Sequence, residues 1–192
     1  YRVDLPAGPP TGDDGKWDVV VVYSGYRPAL RPAEPWEDGS PESLYPKLLA
    51  AGYAVVGVNM RGTGCSGGAF DVMEPVIGID GYDVVETLAR QSWVDDIAFG
   101  GASWLGLSQL AVAEIQPPSL DAIAPGAVVA DFYRDSLYPG GVPNKGFPYA
   151  AWSQARDEYN DWPSHYQTEE GRHLPTEPAD NDPQCLANQH LR

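Results

Sequence analysis

Residues 96–114 read DIAFGGASWLGLSQLAVAE. A short apolar run, Ile97-Ala98-Phe99, meets Gly100 and Gly101; Ala102, Ser103 and Trp104 come next, and then a segment of helical period. A strand that stops, turns on small residues and enters a helix sets the turning side chain at a sheet edge, in front of a helix N-terminus. That is the sequence form of a nucleophile elbow, with Ser103 on a strained turn and its hydroxyl exposed. Gly101 and Ala102 leave room for strand and helix to approach, since a larger side chain would strike the neighbouring backbone. The Trp104 N–H, just inside the helix, is placed to face negative charge on a substrate oxygen. The spacing departs from the common elbow: Gly101 stands two before the serine, but Leu105 stands two after it and Gly106 one place later. A glycine-rich turn whose serine only caps the helix is the alternative. Context favours the elbow, because Leu105, Leu107, Leu110, Ala111 and Ile115 recur near helical spacing until Pro117-Pro118 closes the segment.

Outward from the elbow, strands and helices alternate. Asp18 to Tyr23 reads DVVVVY, and Tyr53 to Val58 reads YAVVGV. Such β-branched runs suit strands covered on both faces. Leu120 to Val129 is a further strand candidate, and Tyr1 to Leu5 alternates as a strand does. Helices are expected near 42–51, with Leu44, Tyr45, Leu48 and Leu49 on one face, near 76–91 and near 104–115. In the second, Ile77, Val84 or Val85, Leu88 and Ala89 are expected to face the sheet. Asp83 and Glu86 are expected to stay in water, and Gly78 and Gly81 to weaken the first turn. This alternation predicts an α/β fold in which strands near 19–23, 53–58, 96–100 and 121–126 form one mainly parallel sheet covered by helices. Residues 28–41 are a proline-rich loop. Beyond Tyr138 the pattern changes: Phe147 to Tyr159 is a helix candidate, and 160–192 is polar, proline-interrupted and holds His165, His173 and His190. The division expected is therefore residues 1–138 as an α/β unit and 139–192 as a distinct portion that either covers the active site or is the start of a cap or insertion cut short.

Composition narrows the function. A formal charge of -15 with 12 Lys and Arg against 27 Asp and Glu leaves no basic stripe for nucleic acid and argues against an anionic membrane surface. No apolar run reaches the ~18 residues that span a bilayer. Cys65 and Cys185 are too few for a disulfide framework or a metal site. Asp13 and Asp14 lack the ordered series of oxygen ligands of a calcium loop. Residues 62–68, GTGCSGG, come after a strand as a dinucleotide loop would, but no helix starts at once and no P-loop lysine is present, so a tight loop at a pocket rim is expected. No cofactor or metal is implied. The chain begins inside a strand at Tyr1, so its original N-terminus is expected to lie upstream, and the compartment stays open.

Taken in one order, MRGTGCSGG (60–68), DGYDVVETLARQSWV (80–94), GASWLG (101–106), AIAPGAVVADFYR (122–134) and YPGG (138–141) resemble the cocaine-esterase-like and Xaa-Pro dipeptidyl-peptidase (peptidase family S15) group of α/β-hydrolases. The resemblance covers nearly the whole length. The group's elbow is usually Gly-x-Ser-Tyr-x-Gly, which accounts for the place of Gly106. It implies an α/β-hydrolase fold, here expected to stop before the last strands, with Ser103 as nucleophile and the Trp104 backbone N–H in the oxyanion hole. Tyr26, two residues past Ser24, falls where the group places a tyrosine whose hydroxyl is the second oxyanion donor. The triad acid and histidine are not carried over. Asp180 or Asp182 with His190 satisfies the order Ser, acid, His, but no strand precedes them to hold them, and a solvated or cap-lining role is expected for all three histidines. The implied chemistry is acyl transfer on a small ester or amide, or on a short (Xaa-Pro) peptide. Further strands and a β-sandwich are expected in cis. A non-catalytic α/β module and an inactive fragment are the competing readings.

Overall fold

Four consecutive valines make a stable strand only where both faces are covered, and β2 (Trp17–Ser24) is such a strand. The computed structural model describes residues 1–25, 44–63, 66–69, 74–146 and 183–189. Within it, Val19 to Val22 are at most 7% exposed at the centre of a five-stranded sheet. β1 (Arg2–Asp4), β3 (Ala54–Asn59), β4 (Val94–Ala102) and β5 (Ala122–Gly126) complete it in the order β1-β3-β2-β4-β5. β2 through β5 are parallel, as the alternation predicts, and β1 adds an antiparallel edge against β3.

Side-chain alternation sorts the core into two faces. Val19, Val21, Tyr23 and Val56 pack with Ile77, Val85 and Leu88 of α2 (Val76–Ala89) and with Trp104 and Val112 of α3 (Trp104–Ile115). Val22 and Val55 point the other way, toward Tyr45 of α1 (Leu44–Ala50) and toward Leu105. The connection from β2 to β3 crosses the sheet in one direction under α1. Those from β3 to β4 and from β4 to β5 cross in the opposite direction over α2 and α3. Right-handed crossovers require this: reversing the direction of travel moves the helix to the other face. The reversal makes the carboxyl end of β2, between those of β3 and β4, a topological switch point, where ligands of open α/β sheets bind.

Several local expectations are corrected. β4 starts at Val94 rather than at 96, and β5 is shorter than Leu120–Val129. In α2, Ala89 is exposed, while Glu86 is half-buried and accepts from the Ser119 N–H (3.1 Å) and hydroxyl (3.2 Å). Gly78 and Gly81, whose low helix propensity weakens a turn, have a packing reason to be there: both are buried against α3. A Cβ on Gly78 would stand 2.5 Å from the Ala111 carbonyl oxygen, and one on Gly81 would overlap the Val112 side chain. The glycines let two helices approach more closely than any side chain permits. α3 is helical as expected, but its buried side carries Trp104, Leu105, Ser108, Gln109 and Val112, while Leu107, Leu110 and Ala111 are half-buried and Ile115 is 42% exposed. Past β5, Phe132–Leu137 form a π-helical turn. The helix candidate at 147–159 lies outside the described residues, and the polar tail holds a short helix, α4 (Pro183–Gln189).

Candidate active site

Ser103 is the single residue between β4 and α3, and its backbone has φ 62°, ψ −123°. These angles mirror the first central residue of a type II turn, which makes them the type II′ conformation, ordinarily a glycine position. A serine held there costs about 1–3 kcal/mol and persists only where the surroundings over-determine it. They do. The Ser103 N–H donates to the Gly126 carbonyl of β5 (3.0 Å), and the Ser103 carbonyl accepts from the N–H groups of Gly106 and Leu107 (2.9 Å each). Ser103 is exposed, and its side chain makes no capping hydrogen bond to α3, so the helix-cap alternative does not describe it.

The small residues around it answer to contacts. Gly101 has φ 140°, and a Cβ on it would lie 2.5 Å from that of Leu105. Gly106 faces the end of β5, where a Cβ would overlap the Gly126 carbonyl oxygen and crowd Val128 (2.7 Å). The second glycine of the motif thus lets the first turn of α3 lie on β5. Gly101 lets the chain fold back over Leu105.

Trp104 is the first residue of α3, where N–H groups have no acceptor within the helix. Its side chain is buried in the core at 7% exposure. The indole also restricts the residue at the exit of β2: a Cβ on Gly25 would stand 2.6 Å from Trp104 Cη2, so only glycine passes over the ring there. The Ser108 hydroxyl, one turn further along α3, donates to the Tyr23 carbonyl (2.7 Å). The carboxyl end of β2 and the first turns of α3 are therefore tied together. Tyr26, the next residue after Gly25, lies outside the described residues, as do His165, His173, His190, Asp180 and Asp182. No histidine lies among the described residues.

The loop after β3 closes on itself: Gly62 N–H donates to the Gly67 carbonyl (3.0 Å) and the Ser66 hydroxyl to the Asn59 carbonyl (2.8 Å). Arg61 binds Asp80 of α2 through two hydrogen bonds. That pairing with Asp80 raises the Arg61 pKa. Two motifs far apart in the chain, MRG and DGYD, thus meet as one bidentate pair. Behind it, burial pushes the Tyr23 phenol well above its usual range, and its hydroxyl donates to the Ile77 carbonyl (3.2 Å). A cleft of about 260 Å³ lined by Met60, Ile77, Trp104, Ala111 and Ile115 lies between α2 and α3, and Ser103 is not in its wall. Among the described residues no three His, Cys, Asp or Glu side chains form a metal-binding group. None of their helices is long and apolar enough to cross a membrane.

The sequence placed Ser103 at the strand–helix turn, with Gly101 and Gly106 beside it, but it did not single out Ser108, Gln109, the Arg61–Asp80 pair or the packing role of Gly25. For Ser108 and Gln109 a signal was available: two polar residues interrupting an otherwise apolar helical segment.

Comparison with known proteins agrees with the fold. A cocaine esterase from Rhodococcus sp. is 38% identical over 98 residues, which are 50% of this chain and 17% of that protein. A Mycobacterium tuberculosis protein named as a serine esterase is 35% identical over 108 residues, 55% of this chain and 16% of that protein. A crystal structure of a CocE/NonD family hydrolase from Staphylococcus aureus superimposes with a TM-score of 0.64 at 27% identity, covering 82% of this chain and 30% of that one. The matched half of the chain thus covers about a sixth of the length of these curated relatives. The fold is that of the α/β-hydrolases. Residues 2–190 match the family described as X-Pro dipeptidyl-peptidase (S15 family), and the chain belongs to that family.

Proposed function

We propose that this chain carries the nucleophile of a serine hydrolase that cleaves ester or amide bonds through an acyl-enzyme, with activity in the complete protein. The observation that carries the reading is Ser103: an exposed serine held at φ 62°, ψ −123° beside the switch point of a parallel sheet. Backbone strain of that size clusters at catalytic positions. Esters come first as substrates because the matched relatives bear esterase names.

In this reading Ser103 Oγ attacks the substrate carbonyl carbon as an imidazole takes its proton. The carbonyl oxygen becomes a tetrahedral oxyanion facing the Trp104 N–H and the Tyr26 hydroxyl. Collapse breaks the bond to the leaving alcohol or amine, which departs with the proton. Water then attacks the acyl-enzyme by the same route, releasing the acid and restoring the serine. Trp104 occupies the place usual for tyrosine, but the donor required of it is its backbone N–H, which is independent of the side chain. The imidazole and its orienting carboxylate are assigned to the rest of the longer protein, along with the further strands and the β-sandwich. Residues 139–192 are read as the start of a cap or insertion.

The test is covalent labelling of the complete protein with a fluorophosphonate, and then peptide mapping. The expected adduct is on Ser103. A labelled, catalytically active protein whose adduct maps elsewhere would overturn the assignment. The 192-residue chain by itself is expected to hydrolyse an activated ester poorly, because an unactivated serine hydroxyl is a weak nucleophile.

A further inference from the structure

Gln109 is fully buried, on the second turn of α3. Its Nε2 donates to the Leu105 carbonyl (2.8 Å) and to the Gly101 carbonyl (3.2 Å), while its Oε1 accepts from the Ala124 N–H (2.9 Å). Gly101 lies two residues before Ser103 and Leu105 two after it, and Ala124 belongs to β5, whose Gly126 accepts from the Ser103 N–H. One side chain thus joins the three segments that converge on the strained serine: the end of β4, the first turn of α3, and β5.

We propose that Gln109 is the positioning residue of this site, clamping the chain on both sides of Ser103 so that the strained turn keeps its geometry through the reaction. The inference rests on Ser103 being the nucleophile. A carboxamide is the group the place demands: two N–H donors for two carbonyl oxygens, and one oxygen for an N–H. No apolar side chain fills that role, and a carboxylate would set negative oxygen against two carbonyl oxygens. Ser108 and Trp104 tie α3 to the end of β2, and Gln109 ties it to β4 and β5. Release of the clamp lets the turn relax toward unstrained angles and moves Oγ away from the oxyanion donors. Displacements of about 1 Å at a reacting atom lower rates by roughly 10²-fold.

The experiment uses the complete protein, one activated ester, and the variants Ser103→Ala, Gln109→Met and Gln109→Glu, with far-UV circular dichroism and thermal melts alongside. Gln109→Met keeps the length and the packing. It is expected to remain folded and to lower kcat by about 10–100-fold, with KM within about threefold. In Gln109→Glu a protonated carboxyl restores one donor and the acceptor. Its kcat relative to the parent at the same pH is therefore expected to rise as pH falls, a recovery that loss of packing alone would not give. If Gln109→Met unfolds, the Glu variant's pH profile decides. A Met variant within twofold of the parent in kcat, or a Glu-to-parent ratio flat with pH, overturns the proposal. Turnover that survives Ser103→Ala overturns the nucleophile assignment instead, so the two failures are distinguishable.

Discussion

Helix α3 begins and ends on a non-glycine residue of positive φ, and the two ends are not alike. At its end, Gln116 sits at φ 55°, ψ 61°, the left-handed conformation that often closes helices, exposed and succeeded by Pro117 and Pro118. At its start, Ser103 has nearly the same φ, but ψ is −123°. Gln116 needs little help: its N–H donates to Ala113, and its side chain is in water. Ser103 is surrounded by devices, among them Gly101, Gly106, Gly126 and Gln109. Positive φ alone is therefore no mark of function. What sets Ser103 apart is positive φ in a region that L-residues avoid, held by several independent bonds and leaving a hydroxyl exposed, and on this the proposed nucleophile rests.

The sharpest way to break this contrast is Ser103→Ala in the complete protein. Alanine tolerates the turn no better and no worse than serine, so the melting temperature should change little. Turnover of an activated ester should fall by about 10⁴-fold or more. Preserved turnover would leave the strain at the start of α3 without a catalytic purpose.

Next in size is Tyr26→Phe, expected to lower kcat/KM by roughly 10²–10³-fold with an unchanged melt, because it deletes one oxyanion donor and keeps the ring. Trp104→Tyr keeps the backbone donor and should cost less in the same assay. A Tyr26→Phe rate within about twofold of the parent would remove that hydroxyl from the oxyanion hole.

Gly106→Ala probes the packing that holds the strained end. Its methyl group meets the Gly126 carbonyl oxygen, and overpacking of this kind costs about 1–3 kcal/mol. Chemical denaturation should show a lower midpoint with an unchanged slope.

Glycine substitution at each end compares the two strains directly. Ser103→Gly should abolish turnover and stabilise the fold by roughly 1–2 kcal/mol, since the backbone strain it relieves exceeds the entropy glycine loses on folding. Gln116→Gly should stabilise by only about 0.5 kcal/mol, the left-handed penalty being nearly cancelled by the entropy glycine loses on folding. Equal gains at both ends would show that Ser103 is no more strained than an ordinary helix terminus.

Residues 1–130 made the architecture legible because each local pattern has one stable solution. DVVVVY must be covered on both faces, and the segments between the valine runs repeat at helical spacing, so the strands lie parallel under helices. Ser103 was legible for the same reason: strand, small residues and helix succeed one another within a dozen positions. Nothing local marks Gly25 as the residue that clears an indole 79 positions later, or Gly78 and Gly81 as the seam between two helices. Nor does it predict that Arg61 and Asp80 close on each other, or that the Gln109 carboxamide reaches a strand beyond its own helix. Those facts depend on which elements become neighbours, and neighbours are decided by crossover direction and by the space left between packed faces. Periodicity and turn chemistry act over a few residues and are written in the chain. The strain at Ser103 is a balance among three segments and exists only once the sheet has brought them together.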